Sequence, residues 1–125
     1  MMLRKLDSLV LYVTDTHKTA DFYQKLGFEI ATEEDNFTLA KLGDFELHCS
    51  DKISIDFPEE SDVKLKGAGI SICIDVENID EYFKNLKEKG LKPFSEPQDK
   101  PWGNKEFDIR DPDGYKLVFY EPLAK

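Results

Sequence analysis

The stretch LVLYVTDTHKTADFYQKLG, residues 9–27, contains one complete strand-to-helix unit. The apolar, β-rich run Leu9–Val13 is typical of a strand buried on both faces. Asp15 or Thr16 can cap the next element, because each offers a side-chain oxygen to free backbone N–H groups. Four residues then recur at the spacing of one helical face: Thr19, Phe22, Tyr23 and Leu26. Gly27 can end that helix in the left-handed conformation, so the stretch predicts a strand followed by a helix.

A later part of the chain repeats this pattern at a spacing of 60 residues. The matched strand residues are Val10–Val13 with Ile70–Cys73, followed by Asp15 with Asp75. The matched helix residues are Phe22, Tyr23 and Leu26 with Tyr82, Phe83 and Leu86. Asn78 with Glu81 predicts a capping box for the second helix, and Gly90 its end. Two copies of one supersecondary unit explain the match better than chance does.

Three short strands are predicted after each helix. They are Phe28–Ala31, Phe37–Leu42 and Phe45–Cys49 in the first half, and Lys92–Ser95, Lys105–Arg110 and Tyr115–Glu121 in the second. The sequences Gly43-Asp44 and Asp111-Pro112-Asp113-Gly114 supply hairpin turns. The predicted fold class is therefore α+β, with the unit βαβββ present twice. We expect a first module over 1–50, a linker over 51–66 and a second module over 67–125, within one structural domain.

Composition excludes several classes of function. The 125-residue chain has a formal net charge of −9, which repels a phosphate backbone, so nucleic acid is not an expected partner. The same charge favours a cationic ligand, although it can also serve only solubility. Apolar runs fall short of the roughly 18 residues of a membrane span, and the first eight residues lack a signal-peptide core, so a cytoplasmic protein is expected. Cys49 and Cys73 are expected to be buried free thiols.

The doubled unit resembles the vicinal-oxygen-chelate family, which includes glyoxalase I, extradiol dioxygenases, fosfomycin-resistance enzymes and bleomycin-resistance proteins. The matching segments are Leu6–Ser8, Asp21–Tyr23, Leu26–Phe28 and the DPDG turn with Tyr115. The resemblance implies two cupped mixed sheets around a cavity, with helices on the outer face, and pairing of two chains into a dimer. Fold alone does not set function, so the site residues decide between the members' activities.

The resemblance also implies where a metal ion would be held. The family's four ligand positions are occupied here by Ser8, Glu46, Gly69 and Val118. Only Glu46 is an ordinary metal ligand, whereas a catalytic site usually needs three protein ligands. His48 points to the same side of its strand as Glu46, but two ligands still fall short. We therefore expect no metal cofactor, with a divalent ion as the alternative; His48 can instead line a cavity and hydrogen-bond Ser8 or a ligand, and Glu46 can pair or bind a cation.

The segment Lys100-Pro101-Trp102-Gly103 looks more like bleomycin-resistance proteins than like glyoxalase I. The resemblance places Trp102 where those proteins stack an indole on the drug, and Phe37 where they carry a second ring. Each residue can instead be ordinary packing, Trp102 as a cover on the core and Phe37 within its strand. Tyr12 and Tyr120 share the strand parity of Ser8 and Val118, so they are expected to face the cup.

The expected function is metal-independent binding of a small molecule, such as sequestration of a planar or cationic antibiotic in a homodimer. No GxSxG motif or Cys–His spacing suggests a nucleophile, so no reaction is expected. The alternative is a metal-dependent lyase, isomerase or dioxygenase in which an ion bound by Glu46 and His48 polarises an oxygen. A third option is an interaction protein with a vestigial cup.

Overall fold

The computed structural model describes residues 2–52 and 66–123, and the chain divides into two compact units, Met1–Lys64 and Leu65–Lys125. The elements of the first unit are β1 (Ser8–Tyr12), α1 (Thr16–Leu26), β2 (Glu29–Glu34), β3 (Phe37–Leu42) and β4 (Phe45–Ser50). Those of the second are β5 (Ile72–Asp75), α2 (Ile79–Glu88), β6 (Gln98–Asp99), β7 (Asn104–Arg110) and β8 (Lys116–Pro122). The predicted α+β class with two βαβββ units is confirmed. No helix in these ranges is long and apolar enough to cross a membrane.

Each unit has one four-stranded mixed sheet. The strand orders are β1-β4-β3-β2 and β5-β8-β7-β6. In both sheets the first strand lies parallel to the last, and the remaining neighbours are antiparallel. Parallel strands need a crossover connection, and the helix is part of it. The β3–β4 hairpin turns at Gly43-Asp44, as predicted, because Gly43 adopts φ +59.

Buried and half-buried residues alternate along the central strands, and the buried ones form the core of each unit. Leu47 and Cys49 of β4 are buried, and so are Leu117 and Phe119 of β8. The residues between them lie on the opposite face and are only half-buried. Aromatic rings fill the helix side of the second sheet, where the Phe107 and Phe119 centroids are 5.2 Å apart. Each sheet therefore has one face packed on its helix and one helix-free face.

The ends of α1 follow the local signals in the sequence. Asp15, rather than Thr16, is the N-cap, and its carboxylate accepts hydrogen bonds from the backbone N–H groups of His17 and Lys18. Those two bonds lower the pKa of the Asp15 carboxyl. Gly27 ends the helix at φ +115, a left-handed conformation that favours glycine.

The ends of α2 combine local and distant contacts. The Asn78 side-chain oxygen accepts from the Glu81 N–H at 3.3 Å, and its Nδ2 donates to the Glu81 carboxylate, a variant of the predicted capping box. Glu121 on β8 accepts further hydrogen bonds from the N–H groups of Asn78 and Ile79. Gly90 follows the helix at φ +85, as its predicted role requires.

The spacing of 60 predicted for the repeat is wrong over the strand and the helix. Asn78 lies 63 residues after Asp15, and Gly90 lies 63 residues after Gly27. At this spacing the buried positions of α1 correspond to buried or half-buried positions of α2: Thr16 and Ile79, Thr19 and Tyr82, Ala20 and Phe83, Tyr23 and Leu86. The apolar residues of an amphipathic helix recur every three or four positions, so two alignments three residues apart match almost equally well.

Three further expectations are corrected. Residues 92–95 form no strand, and Gln98–Asp99 pairs with β7 instead. Pro93 lies within this stretch and Pro97 two residues after it, and proline donates no hydrogen bond to a neighbouring strand. The first strand is buried on one face only, because Val10 is 55% exposed. Cys49 is buried as predicted, but Cys73 is exposed. The linker expected over 51–66 lies largely outside the described residues.

His17 joins the start of α1 to the β2–β3 hairpin. Its Nδ1 lies 2.6 Å from a Glu33 carboxylate oxygen, and its Nε2 lies 3.0 Å from one of Asp35. These hydrogen bonds, the one to Glu33 first, raise the pKa of His17 above its usual 6.5. Only the protonated imidazole can donate from both nitrogens, so the cluster stabilises the fold in its charged form.

We predict that this contribution to the free energy of unfolding is complete below the unfolded pKa of His17 and is lost as pH rises through its higher folded pKa. The free energy of unfolding of His17→Gln should therefore be lower than that of the unmodified chain near pH 6, and this difference should shrink as pH rises to about 9. Urea unfolding of both chains across that range measures the difference. Because the imidazole is half-exposed, added salt should reduce the effect, and a pH-independent difference would contradict the prediction.

Candidate functional site

Five predicted site residues lie on the helix-free face of the first sheet. Strand register places them in rows: Ser8 beside Glu46, His48 between Val10 and Leu39, and Ser50 between Tyr12 and Phe37. Ser8, Tyr12, Phe37, Glu46 and His48 are all half-buried. The parity predicted for Tyr12 and Ser8 is therefore confirmed, because Leu11 and Val13 face the other way and are buried.

Direct contacts join three of these residues. The Nε2 of His48 lies 2.8 Å from the Oε1 of Glu46, so His48 bonds to Glu46 and not to Ser8. The Phe37 ring meets the imidazole edge to face, with centroids 5.8 Å apart. Asp7, which is not among the predicted site residues, places a carboxylate oxygen within 4.8 Å of ligand atoms of both Glu46 and His48. One face thus carries an aromatic ring, an imidazole and two acids.

The helix-free face of the second sheet carries Tyr120, Val118 and Lys116 along β8. Their neighbours across β7 are Glu106, Asp108 and Arg110, respectively. Tyr120 and Val118 are half-buried, whereas Leu117 and Phe119, which alternate with them, are buried on the helix side. The predicted parity of Tyr120 and Val118 is therefore confirmed.

Trp102 lies in a tight turn between β6 and β7. Gly103 adopts φ +97, which lets its N–H bond back to the Lys100 carbonyl at 3.0 Å. The Lys100 N–H bonds to the Asn104 carbonyl at 2.7 Å, and the Leu123 N–H bonds to the Gly103 carbonyl. Backbone hydrogen bonds thus hold the turn on both sides. The indole is 64% exposed, so it does not cover the core within its unit.

The indole is nevertheless fixed in orientation. Its Nε1–H donates to Oε2 of Glu106 at 2.6 Å, and the Asn104 side chain donates to the same oxygen at 3.2 Å. Hydrogen bonds to a carboxylate are shorter and stronger than neutral ones, which agrees with the short distance to the indole. The Lys100 ammonium lies 6.0 Å from the ring centroid. An exposed aromatic surface held at its edge is suited to stacking on a flat ligand.

A cavity of about 150 Å³ adjoins this indole. Its lining residues are Ser95, Lys100, Trp102, Glu106, Phe107, Asp108, Lys116 and Val118. The structure therefore brings Trp102 and Val118, both selected from the sequence, to one cavity. Two ammonium groups and two carboxylates line it, and Glu106 is already engaged by Trp102 and Asn104. The overall charge of −9 is therefore not reproduced in this cavity.

The predicted set of four metal-ligand positions needs correction. Gly69 lies in a turn before β5 and not on a strand. At the spacing of 63, Ser71 corresponds to Ser8. Leu9 pairs with Leu47 in the first sheet, and its equivalent Ile72 pairs with Leu117 in the second. Leu117 is therefore the equivalent of Leu47. Val118, the next residue, is then the equivalent of His48 and not of Glu46. With the register corrected, the set Ser8, His48, Ser71 and Val118 still contains one strong metal ligand.

Comparison with known proteins decides the family. The Glyoxalase/Bleomycin resistance protein/Dioxygenase superfamily matches residues 5–119. The chain belongs to this superfamily. A bleomycin resistance protein of Geobacillus stearothermophilus is 32% identical over 123 residues, covering 90% of this chain and 93% of that protein.

Solved structures agree on the superfamily fold. A glyoxalase/bleomycin resistance protein/dioxygenase from Nocardioides superposes with a TM-score of 0.77 at 20% identity, over 99% of this chain and 87% of that one. A bleomycin-binding protein complexed with bleomycin gives a TM-score of 0.66 at 23% identity, over 95% of this chain and 98% of that one.

Sequence reasoning missed the residues that support the selected ones. Glu106 and Asn104 anchor Trp102, Lys100 lies over its ring, and Asp7 lies close to Glu46 and His48. One clue was available: on the predicted strand Lys105–Arg110, Glu106 lies on the opposite face from the apolar Phe107 and Ile109. For Asp7 there was no such clue, because it precedes the strand.

We predict that Glu106→Ala releases the indole, because Trp102 loses its only charged hydrogen-bond acceptor in the second unit. Trp102 is the sole tryptophan, so its fluorescence reports on it directly. The anisotropy should fall and the emission should shift to the red. Glu106→Gln, which keeps an acceptor oxygen, should retain most of the anisotropy, and the exposed Glu88→Ala should leave it unchanged. Equal spectra for Glu106→Ala and the unmodified chain would contradict the anchoring.

Proposed function

We propose that the protein binds a small planar organic molecule in the manner of a resistance-type binding protein, without a metal and without a chemical step. The observation that carries the proposal is Trp102, an exposed indole held at its edge by Glu106 beside a cavity. The 32% identity to a bleomycin resistance protein over nearly the full chain supports this class of ligand. A bleomycin-type compound is therefore the first ligand to test.

The ring surface supplies most of the proposed binding energy. Burial of apolar surface contributes roughly 25 cal/mol per Å², and aromatic stacking adds to it. Val118 and Phe107 add apolar surface to the same cavity. In the first unit Phe37 offers a second ring, fixed by its edge-to-face contact with His48. Each helix-free face by itself also offers proposed polar contacts: Ser8, Tyr12 and Glu46 on the first, and Tyr120 on the second.

We further propose that the protein acts as a homodimer. The cavity of about 150 Å³ is smaller than the range of roughly 300–1,000 Å³ typical of ligand pockets. A second chain can complete its walls. Large apolar side chains that stay exposed in the single chain support an interface, among them Val10 at 55% and Phe94 at 83%.

We predict that Trp102→Ala lowers the affinity for a bleomycin-type ligand by about 30-fold or more, the loss typical of a central aromatic anchor. Titration calorimetry measures the constant without relying on tryptophan emission. Trp102→Phe, which keeps a smaller ring, should lose less. Light scattering should show the same assembly for all three chains. An unchanged dissociation constant in Trp102→Ala would remove the residue from the site.

A broad ligand screen tests the proposal as a whole. Quenching of Trp102 by bleomycin-type compounds, or by another planar class, is the expected result. If no compound in such a library changes the emission, the small-molecule proposal fails. The protein would then be better explained as an interaction protein with a vestigial cup.

The second candidate is a metal-dependent lyase, isomerase or dioxygenase. The group Asp7, Glu46 and His48 favours it, because three donors are the number that a catalytic divalent site usually requires. A bound ion would supply a Lewis acid for a carbonyl or enediolate oxygen. The donor set fits poorly in its present arrangement: His48 and Glu46 bond to each other, and Asp7 is exposed and 3.8 Å from the Lys5 ammonium.

We predict less than a tenth of an equivalent of Zn, Ni, Mn or Fe in protein purified without chelators, because the ion would have to displace both contacts. Elemental analysis measures the content. His48→Gln should leave the affinity for the planar ligand within a few-fold of the unmodified value. Near-stoichiometric metal that His48→Gln removes would establish the enzyme candidate over the binder.

A further inference from the structure

The end of the second helix-free face opposite to Trp102 is basic. Arg110 and Lys116 are direct cross-strand neighbours on β7 and β8. Side chains at such positions lie on one face with Cβ atoms about 5 Å apart, and like charges there repel each other. This pair lies in a chain where 26 acidic residues outnumber 17 lysines and arginines. Two adjacent cations are therefore a local exception to the charge of the protein.

Neither cation has an acidic partner in the second unit. Within residues 66–123, no carboxylate lies within ion-pair distance of Arg110 or Lys116. By contrast, Lys105 on the same strand bonds to Asp80 at 2.8 Å, which raises the pKa of that lysine. The Arg110 guanidinium is oriented by one hydrogen bond, from Nη1 to the Gly114 carbonyl at 2.9 Å. Among the residues that the structure describes, its remaining N–H donors have no further acceptor.

A cavity of about 250 Å³ lies at these two side chains. The turn before β5 forms the rest of its lining, with Gly67, Ala68, Gly69, Ile70 and Ser71. No acidic residue is among these lining residues. Ser71 adds a hydroxyl donor, and the glycine-rich turn adds backbone N–H groups, which bind anions in other proteins. Gly67 lets the turn approach Tyr115, the residue before β8, because a Cβ there would lie 2.8 Å from the Tyr115 Cα.

The corresponding row of the first unit has a different charge. Ser8, Glu46 and Lys41 lie side by side there, one acid beside one cation. The matching row in the second unit is Ser71, Lys116 and Arg110, because Lys116 lies one residue before Leu117 as Glu46 does before Leu47. The repeat therefore does not require two cations at this place.

We propose that Arg110 and Lys116 form a binding site for a small oxyanion, such as a phosphate, sulfate or carboxylate group. Such a group accepts hydrogen bonds from the guanidinium, the ammonium and Ser71, and it neutralises the repulsion between the two cations. Lys116 also lines the cavity beside Trp102, so it connects the two pockets. The anion is either free or a substituent of the planar ligand. The site itself does not depend on the proposed function, because Trp102 is not among the residues that line its cavity.

Inorganic phosphate is the first probe, at constant pH and with chloride at matched ionic strength as the reference. Phosphate should raise the midpoint of thermal unfolding and shift the NMR amide signals of Gly67, Gly69 and Ser71. Lys116→Gln and Arg110→Gln should each weaken the apparent affinity about tenfold, the usual loss for a charged hydrogen bond. Lys92→Gln, an exposed cation of the same unit outside the cavity, should leave it unchanged.

A second readout separates the site from a purely structural role. Without phosphate, Lys116→Gln should unfold at the same or a higher temperature than the unmodified chain, because it removes the like-charge repulsion. Equal phosphate stabilisation of Lys116→Gln and the unmodified chain, or equal losses in Lys92→Gln, would overturn the proposal.

Phenyl phosphate distinguishes the two sources of the anion. If the oxyanion is a substituent of the planar ligand, phenyl phosphate should bind more tightly than phosphate, and Trp102→Ala should remove only that difference. If the anion is free, both probes should bind equally. In either case the loss of phosphate binding in Lys116→Gln tests the site, whereas the behaviour of Trp102→Ala tests the proposed function, so the two can fail separately.

Discussion

The parallel pairing of β1 with β4, and of β5 with β8, fixes the direction of the strand side chains in the candidate site, whereas Trp102 is oriented by its turn and by Glu106. Each central strand directs one set of residues toward its helix, and burial of Leu47, Leu117 and Phe119 makes a shift by one residue costly. The intervening residues must then share the helix-free face. Ring, imidazole, acid and ammonium groups are collected on these faces because the apolar residues occupy the other side.

Features that depend on neighbouring residues could be predicted from the sequence. Asp15 and Gly27 bound α1 through contacts within a few residues, and Gly43-Asp44 turns the hairpin. The repeat spacing could not be obtained from apolar residues alone, because a helical face matches itself when it is displaced by three residues. The residues that begin and end the helices specify the repeat spacing better than the apolar residues do. Asp15 and Asn78 are 63 residues apart, and so are Gly27 and Gly90.

The sequence predicted on which face of the sheet the candidate site residues lie, but it did not predict which residues they contact. Val118 and Tyr120 lie on the helix-free face, as the alternation of side chains along a strand predicts. The bond between Trp102 and Glu106 spans a turn whose shape depends on Gly103, and the approach of Asp7 to Glu46 joins residues far apart in the chain. Pairing across strands likewise determines which charges meet. The sequence as a whole is acidic, whereas register places Arg110 beside Lys116.

The two helices obtain their first hydrogen bonds from different distances along the chain. α1 is capped by the adjacent Asp15, but the N–H of Ile79 in α2 is bonded to Glu121, 42 residues later. During synthesis the first helix can be completed as soon as it emerges from the ribosome. The second helix also has a local cap at Asn78, but its bond to Glu121 forms only when the final strand is in place, so the βαβββ unit made later is expected to be the slower of the two to fold.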